Sequence, residues 1–503
     1  MKKVIIGKGL SLEEVFAVAT NVDIEVGIDE KALVKIKKNR GLVDNILKQN
    51  KPVYGINTGF GSLSDVKIDN DKLKNLQVNL IRSHSAGVGR PLDQSFVRAM
   101  MLLRAHNLSY GYSGVREEVI HSILFFLNNN IIPVVPEKGS VGASGDLAPL
   151  AHLTLALIGE GDVIYKGKKR ISIDVIKELN GKVLELEAKE GLALINGTQF
   201  MTALGCVALI EAESLTKHAD IIAALSIDGM LGTFAPFDAR ISEIRPHEGQ
   251  KKVSQNISQL SNGSEIANSH KSCNKVQDPY SLRCIPQVHG AIRDAVSYLR
   301  KTLSVEINSV TDNPLVFDDC IISGGNFHGE PLALAFDFAS IALTELSSIS
   351  ERRTDKLLTP LFNGGLPAYL SKNSGLNSGF MIAQYTAASL LNENRVLAHP
   401  SSIDNVPTSN DKEDHVSMGA TGARKLLSII DNVETVLAIE LLLAVEACTQ
   451  RRPLKPSKEL DKVINIVRKD VSALGEDRVI AKDIDKTKNI IKNKTILTEV
   501  AVG

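Results

Sequence analysis

Three stretches restrict the fold of this chain more than anything else in it: Phe200 to Ala224, Pro331 to Arg353 and Ala420 to Thr449 each run for many turns with no proline after the first turn. Apolar residues recur in them at three-and-four spacing, as at Ala335, Phe338, Ala342, Leu346 and Ile349, the pattern of an α-helix with a buried stripe. They exceed the ordinary globular helix of about 11–12 residues. Several are apolar on more than one face, which a helix tolerates inside a bundle or an oligomer. Strand signals are short by contrast: Lys3 to Ile6, a hairpin-like pair Asp162–Tyr165 and Arg170–Ile173 around Lys166-Gly167, and Leu315–Phe317 turning into Cys320–Ile322. The expected class is mainly α, a long helical bundle with small β elements. Val436 to Val445 is the most apolar C-terminal stretch, but it holds Glu440 and is flanked by Glu434 and Glu446, so it reads as a buried helix and not a membrane span. Lys458 to Lys494, rich in mixed charge, reads as solvated helix.

No Pro/Ser-rich linker divides the 503 residues, so one continuous core is expected. A provisional division falls near residue 200: a loop-rich part over 1–200 and a long-helix, oligomerisation part over 201–503. Formal net charge is zero, which gives no electrostatic footprint for nucleic acid or an anionic membrane as partner. The five cysteines, Cys206, Cys273, Cys284, Cys320 and Cys448, are odd in number and scattered, which fits a reducing compartment better than a disulfide framework. The apolar run after Met1-Lys2-Lys3 is too short for a secretory leader, and a cytoplasmic location is expected. His270-x-x-Cys273 followed by Cys284-x4-His289 imitates a zinc-ligand spacing, but Tyr280 and Arg283 inside it have a better use in the chemistry below.

That chemistry centres on Gly139-Ser140-Val141-Gly142-Ala143-Ser144-Gly145-Asp146. Taken alone, Ala-Ser-Gly is a flexible loop before a helix. Compressed into a tight turn, however, the amide nitrogen of Gly145 approaches the carbonyl carbon of Ala143, and glycine has no Cβ to obstruct the attack. Ring closure and dehydration of Ser144, two waters in all, leave an exocyclic methylidene conjugated to an imidazolone, a strong Michael acceptor. Asp146 stands at the N-cap position, Pro149 fits a first turn, and Leu150 to Ile158 continues as apolar helix. The loop thus sits at a helix N-terminus, whose roughly half-unit positive end stabilises negative charge on the ring.

This segment resembles the prosthetic-group loop of the aromatic amino acid ammonia-lyases, and the similarity extends from about residue 50 to residue 420. Tyr54 to Gly61, Ser83-His84-Ser-Ala-Gly87, Asn196-Gly197-Thr198, Gln277 to Cys284, Gly325-Asn-Phe327-His-Gly329 and Glu413-Asp-His-Val-Ser417 match family blocks in the family's order. The resemblance implies a homotetramer of fumarase/aspartase-like helical subunits, with active sites shared between subunits. It also implies 4-methylidene-imidazol-5-one formed autocatalytically from Ala143-Ser144-Gly145, no dissociable cofactor and no metal. An amino acid is the small-molecule partner, from which ammonia is eliminated.

In such enzymes Tyr54 or Tyr280 is the base that removes the β-proton, and which of the two stays open. A tyrosine ionises near pH 10 in a model peptide, so it needs nearby positive charge, for which Arg283 is a candidate. Arg283 is also the expected carboxylate fork, because a planar guanidinium makes two parallel bonds. Asn196 orients the carboxylate or bonds the imidazolone oxygen; by itself Asn-Gly is a turn. Gln277 and Phe327 line the pocket. Members acting on histidine carry Ser-His at the positions of Ser83-His84 and glutamate at Glu413, where phenylalanine-specific members have an apolar pair and glutamine. The expected reaction is therefore conversion of L-histidine to urocanate. Tyrosine or phenylalanine elimination, a 2,3-aminomutase, and a non-catalytic helical scaffold are the alternatives. Lys412, where a glutamine is usual, places an ammonium beside Glu413, while Ile285 and His289 also depart from the family pattern.

Overall fold

Long uninterrupted apolar periodicity gives long helices in the computed structural model, which describes residues 3–49, 52–59, 61, 65–273 and 275–503. Gln199–Gly229, Ile285–Glu306, Glu330–Leu358 and Gly419–Gln450 span 31, 22, 29 and 32 residues. Among the described residues the strands form four small sheets. Lys3–Ile6 pairs in parallel with Glu25–Ile28, and Leu315–Val316 pairs antiparallel with Ile321–Ile322. In the expected hairpin, Asp162–Tyr165 pairs with Lys168–Ile171, and Ser172 already begins a helix. The tight Lys166-Gly167 turn, both residues at positive φ, starts the return strand earlier than alternation suggested.

The chain forms two compact units whose segments alternate along the sequence. Residues 1–210, 299–337 and 400–424 make the first unit, and 211–298, 338–399 and 425–503 the second.

In the first unit, small residues admit close packing. A Cβ on Gly205 would stand 2.5 Å from the Phe336 ring and 3.1 Å from Leu303, so this glycine sets how closely the three helices approach. Antiparallel pairing of Val88–Pro91 with Pro136–Lys138 fixes the entry to the Gly139–Asp146 loop, and helix Leu147–Leu157 begins at its exit.

In the second unit, the core of three helices is closed around one carboxylate. Glu440, fully buried, accepts from Arg353 Nε and Nη2 at 2.6 and 2.9 Å, from Ser226 Oγ at 2.7 Å and from Ser350 Oγ at 2.6 Å. Val436 to Val445 is wholly buried. Ala335, Ala342, Leu346 and Ile349 are buried as expected, whereas Phe338 is 48% exposed. The C-terminal charged stretch is not solvated all round: Lys458–Asp470 buries Leu460, Val463, Ile464, Ile466 and Val467, and Ile480–Lys492 buries Ile484, Ile490 and Ile491. Glu330–Leu358 alone among the described helices is long and apolar enough to cross a membrane, and 72% of its most apolar stretch is buried within the protein.

Candidate active site

The Ala-Ser-Gly loop is compressed against two glycines and held from both ends. Gly145 takes φ +72° and forms an isolated parallel bridge with Gly197. A Cβ on Gly145 would lie 2.2 Å from the Gly197 oxygen, and one on Gly197 would lie 2.6 Å from Arg104 Nη1. Neither approach is open to another residue type. The Asp146 amide donates to the Gly197 oxygen at 2.7 Å. On the other side, Ser417 Oγ donates to the Gly142 oxygen at 3.2 Å and the Met418 amide to the Val141 oxygen at 2.9 Å.

Asp146 occupies the N-cap position of helix Leu147–Leu157, but its side chain makes no capping bond. Its carboxylate instead accepts from Ser140 Oγ and the Met201 amide, each at 2.9 Å. It staples the loop to the start of helix Gln199–Gly229. Complete burial pushes its carboxyl up to about 7, against the pull of these donors. Capping and stapling use the same oxygens, and here the second partner wins.

Asn196 ends the short helix Glu190–Ile195. Its Nδ2 donates to the Ser144 carbonyl at 3.3 Å, while its Oδ1 is buried without a hydrogen-bond partner. Buried Arg104 grips the Asn196 carbonyl through Nη1 at 2.9 Å. A fully buried ion pair, Lys189 to Asp312 at 2.7 Å, stands at the head of that helix. Sequence reasoning missed Arg104 although it leaves a signal, a cation in the otherwise apolar run Met100 to Ala105.

Glu413 meets the loop from the opposite side. Ser144 Oγ donates to its Oε1 at 2.8 Å, and Thr408 Oγ1 donates to its Oε2 at 2.8 Å. Lys412 is exposed, and among the described residues no ion pair joins it to Glu413. His84, half-buried at the end of helix Leu73–His84, has its imidazole pKa lowered by burial, with Glu413 opposing the shift. Ser83 Oγ lies 3.1 Å from its Nδ1.

Tyr54 belongs to the same unit, but its hydroxyl does not meet the expectation of a lowered pKa. Burial raises it, and the charges of Glu413 and Asp312 raise it further, with only backbone hydrogen bonding at Gly61 working the other way. The chief reason is burial, and the neighbouring charges, carboxylates where a cation was expected, add to it. Phe60, in the same motif, lies outside the described residues. Phe327 is half-buried. Its neighbour His328 is joined to His415, two residues from Glu413, by Nε2 to carbonyl contact at 3.1 Å and parallel ring stacking at 5.7 Å. This ties the Phe327 and Glu413 segments together.

Gln277, Tyr280 and Arg283 lie in the second unit and meet one another there. Arg283 donates from Nη2 to Gln277 Oε1 at 3.2 Å and stacks 4.5 Å over the centre of the Tyr280 ring. The guanidinium thus faces the ring and not the hydroxyl. Tyr280 is 70% exposed, and Arg283 Nε is buried without a partner.

The residues of the zinc-like spacing do not assemble. His270 directs its nitrogens at the Ile266 and Gly232 carbonyls, at 2.8 and 3.1 Å, while His289 is enclosed by Asp220 at 2.9 Å and Arg353 at 3.4 Å. Among the described residues, His328, Glu330 and His415 bring donor atoms within 4.8 Å of one another. Both His328 nitrogens are already taken, Nε2 by the His415 carbonyl and Nδ1 by the Glu330 amide at 3.3 Å.

Comparisons with known proteins place the whole chain in a family. The model of the aromatic amino acid lyase family matches residues 10–469. A histidine ammonia-lyase of Myxococcus xanthus is 49% identical over 98% of this chain and 97% of its own. The crystal structure of histidine ammonia-lyase from Trypanosoma cruzi superposes with a TM-score of 0.92 at 41% identity, covering 99% of this chain and 94% of that one. The tyrosine aminomutase of Streptomyces globisporus superposes with a TM-score of 0.94 at 37% identity, covering 99% and 100%. With its loop, its glycine contacts and its full-length similarity all in the same register, the chain belongs to the aromatic amino acid lyase family.

Proposed function

We propose that this chain eliminates ammonia from L-histidine without oxidation to give trans-urocanate, the histidine ammonia-lyase reaction that opens histidine degradation. The observation that carries the reading is Glu413, whose carboxylate is held at the Ser144 hydroxyl with His84 nearby. A carboxylate there accepts an imidazole N–H, a donor that a benzene ring does not offer.

The residues present suit the 4-methylidene-imidazol-5-one group that family membership implies. Gly145 and Gly197 touch where no Cβ fits, Asn196 reaches the Ser144 carbonyl, and the loop opens a helix. Ala143-Ser144-Gly145 would form the group, which would supply an electrophilic carbon able to activate the substrate amine as a leaving group. Asn196 and the helix N-terminus stabilise the negative charge on the loop. Arg283 takes the substrate carboxylate as a fork, with Gln277 aligned by their mutual bond. Phe327 forms an aromatic wall. His84 and Glu413 orient the imidazole, and Tyr54 or Tyr280 takes the β-proton.

In this reading the protein is a homotetramer in the cytoplasm, and Gln277, Tyr280 and Arg283 serve a site built from more than one chain. Large apolar side chains left exposed on long helices support the assembly: Tyr298, Phe338, Ile341, Ile382 and Tyr385 are between 44% and 63% exposed. A cation from a neighbouring chain would also lower the Tyr54 hydroxyl against its own carboxylate neighbours. The cysteines are all free, as in a reducing compartment.

The test is steady-state turnover of histidine, tyrosine and phenylalanine, following ammonia and product absorbance together. Histidine should give urocanate with the highest kcat/KM. A preference for tyrosine, or retention of the amine as a β-amino acid, would overturn the substrate or the reaction assigned.

A further inference from the structure

We infer that Thr408 is a positioning residue for Glu413, and through it a determinant of substrate choice. The inference rests on the reading of Glu413 above and on the dehydration of Ser144.

Thr408 and Glu413 close on each other at three points. The Thr408 amide donates to the Glu413 carbonyl at 2.9 Å, the Glu413 amide donates to the Thr408 carbonyl at 3.2 Å, and Thr408 Oγ1 donates to Glu413 Oε2 at 2.8 Å. The turn between them runs through Ser409, Asn410 and Asp411, all left-handed, with φ of 54°, 52° and 62°. That conformation disfavours residues with a Cβ, so the pairing at its base holds the turn in shape.

The two oxygens of Glu413 have different fates. Oε1 is engaged by the Ser144 hydroxyl, and that hydroxyl departs as water when the loop matures. Maturation therefore frees Oε1 on the side of the reacting centre, while Oε2 remains held by Thr408. One hydroxyl marks where the imidazole N–H is to be read, and the other keeps the carboxylate facing it. Without Thr408 Oγ1 the carboxylate rotates about its last torsions, which are broad for an sp³–sp² bond, and the reading of the ring weakens.

The experiment compares Thr408→Val, which keeps the shape but removes the hydroxyl, with Thr408→Ser, which keeps the hydroxyl. Both are measured beside Glu413→Gln and the double variant Thr408→Val/Glu413→Gln. Intact mass first establishes that each has lost two waters. For Thr408→Val, kcat/KM for histidine should fall about tenfold, the loss expected for one hydrogen bond to a charged group, and the ratio of histidine to phenylalanine should fall with it. Thr408→Ser should stay within about twofold of wild type on the same scale. The double variant should be no worse than Glu413→Gln, because the hydroxyl then has no carboxylate to hold. If Glu413→Gln lowers the ratio while Thr408→Val leaves it unchanged, the positioning role of Thr408 fails alone. If Glu413→Gln also leaves it unchanged, the reading of Glu413 fails and takes this inference with it. A Thr408→Ser variant as poor as Thr408→Val, or a double variant additive in its losses, assigns Thr408 to general structure and overturns the inference.

Discussion

Gly145 concentrates the argument in a single position. Its φ of +72° and the 2.2 Å that would separate its Cβ from the Gly197 oxygen mean that a methyl group here forces Asn196-Gly197-Thr198 away from the loop. The expected outcome for Gly145→Ala is a folded chain of full, unmodified mass with no turnover of histidine. Wild type should be lighter by two waters, and a modified, active Gly145→Ala would show that compression against Gly197 is not what drives ring closure. The sequence points to this residue because the proposed chemistry is local, one amide attacking a carbonyl two residues back. Thr408 was not legible, since its role depends on a turn of three left-handed residues that propensity disfavours. Asp146 was legible in place and not in role: the Met201 amide that competes for its carboxylate is distant in sequence.

At the scale of elements, long helices were readable from periodicity alone, but what fastens them was not. Glu440 sits in an apolar run and receives Arg353, Ser226 and Ser350 from two other helices. Glu440→Gln keeps the shape and leaves Arg353 buried without its counter-charge, which costs about 3–5 kcal/mol; a lowered denaturant midpoint at unchanged m-value would measure it. Helix Gln199–Gly229 supplies a pH-dependent term as well. Asp228 accepts from Ser264 Oγ at 2.9 and 3.0 Å, yet burial pushes its carboxyl up to about 7, far above roughly 3.9 for the unfolded chain. Between those values the folded state binds the extra proton, so this group's contribution to stability is full below about pH 4 and is lost as pH rises through about 7. Asp228→Asn should flatten that part of the profile of melting temperature against pH. An unchanged slope would mean that the carboxyl ionises normally. The amphipathic Lys458–Asp470 looked solvated because its lysines and acids outnumber its apolar residues, although those residues fall on one face and that face is buried.

The whole molecule places the residues proposed for one reaction in two compact units, with Ser144, Asn196 and Glu413 in one and Gln277, Tyr280 and Arg283 in the other. Sequence blocks point to candidate residues for the chemistry but not to which chain completes which site. If sites are shared, two inactive variants, Ser144→Ala and Arg283→Met, should regain measurable activity when unfolded and refolded together, and none when refolded apart and mixed. Failure of the co-refolded sample, with tetramers confirmed by light scattering, would place all these residues in one chain's own site.

The long-range contacts around the loop also set a clock. Ser144 meets Glu413 across a sequence separation of 269 residues, and Gly142 meets Ser417 across 275. At roughly 5–20 residues per second of synthesis, the loop spends on the order of tens of seconds outside the ribosome before the segments that squeeze it have been made. On the maturation proposed above, the nascent chain would carry an inert serine past the thiols and amines of its surroundings, and the reactive carbon would arise only once the walls that enclose it are standing.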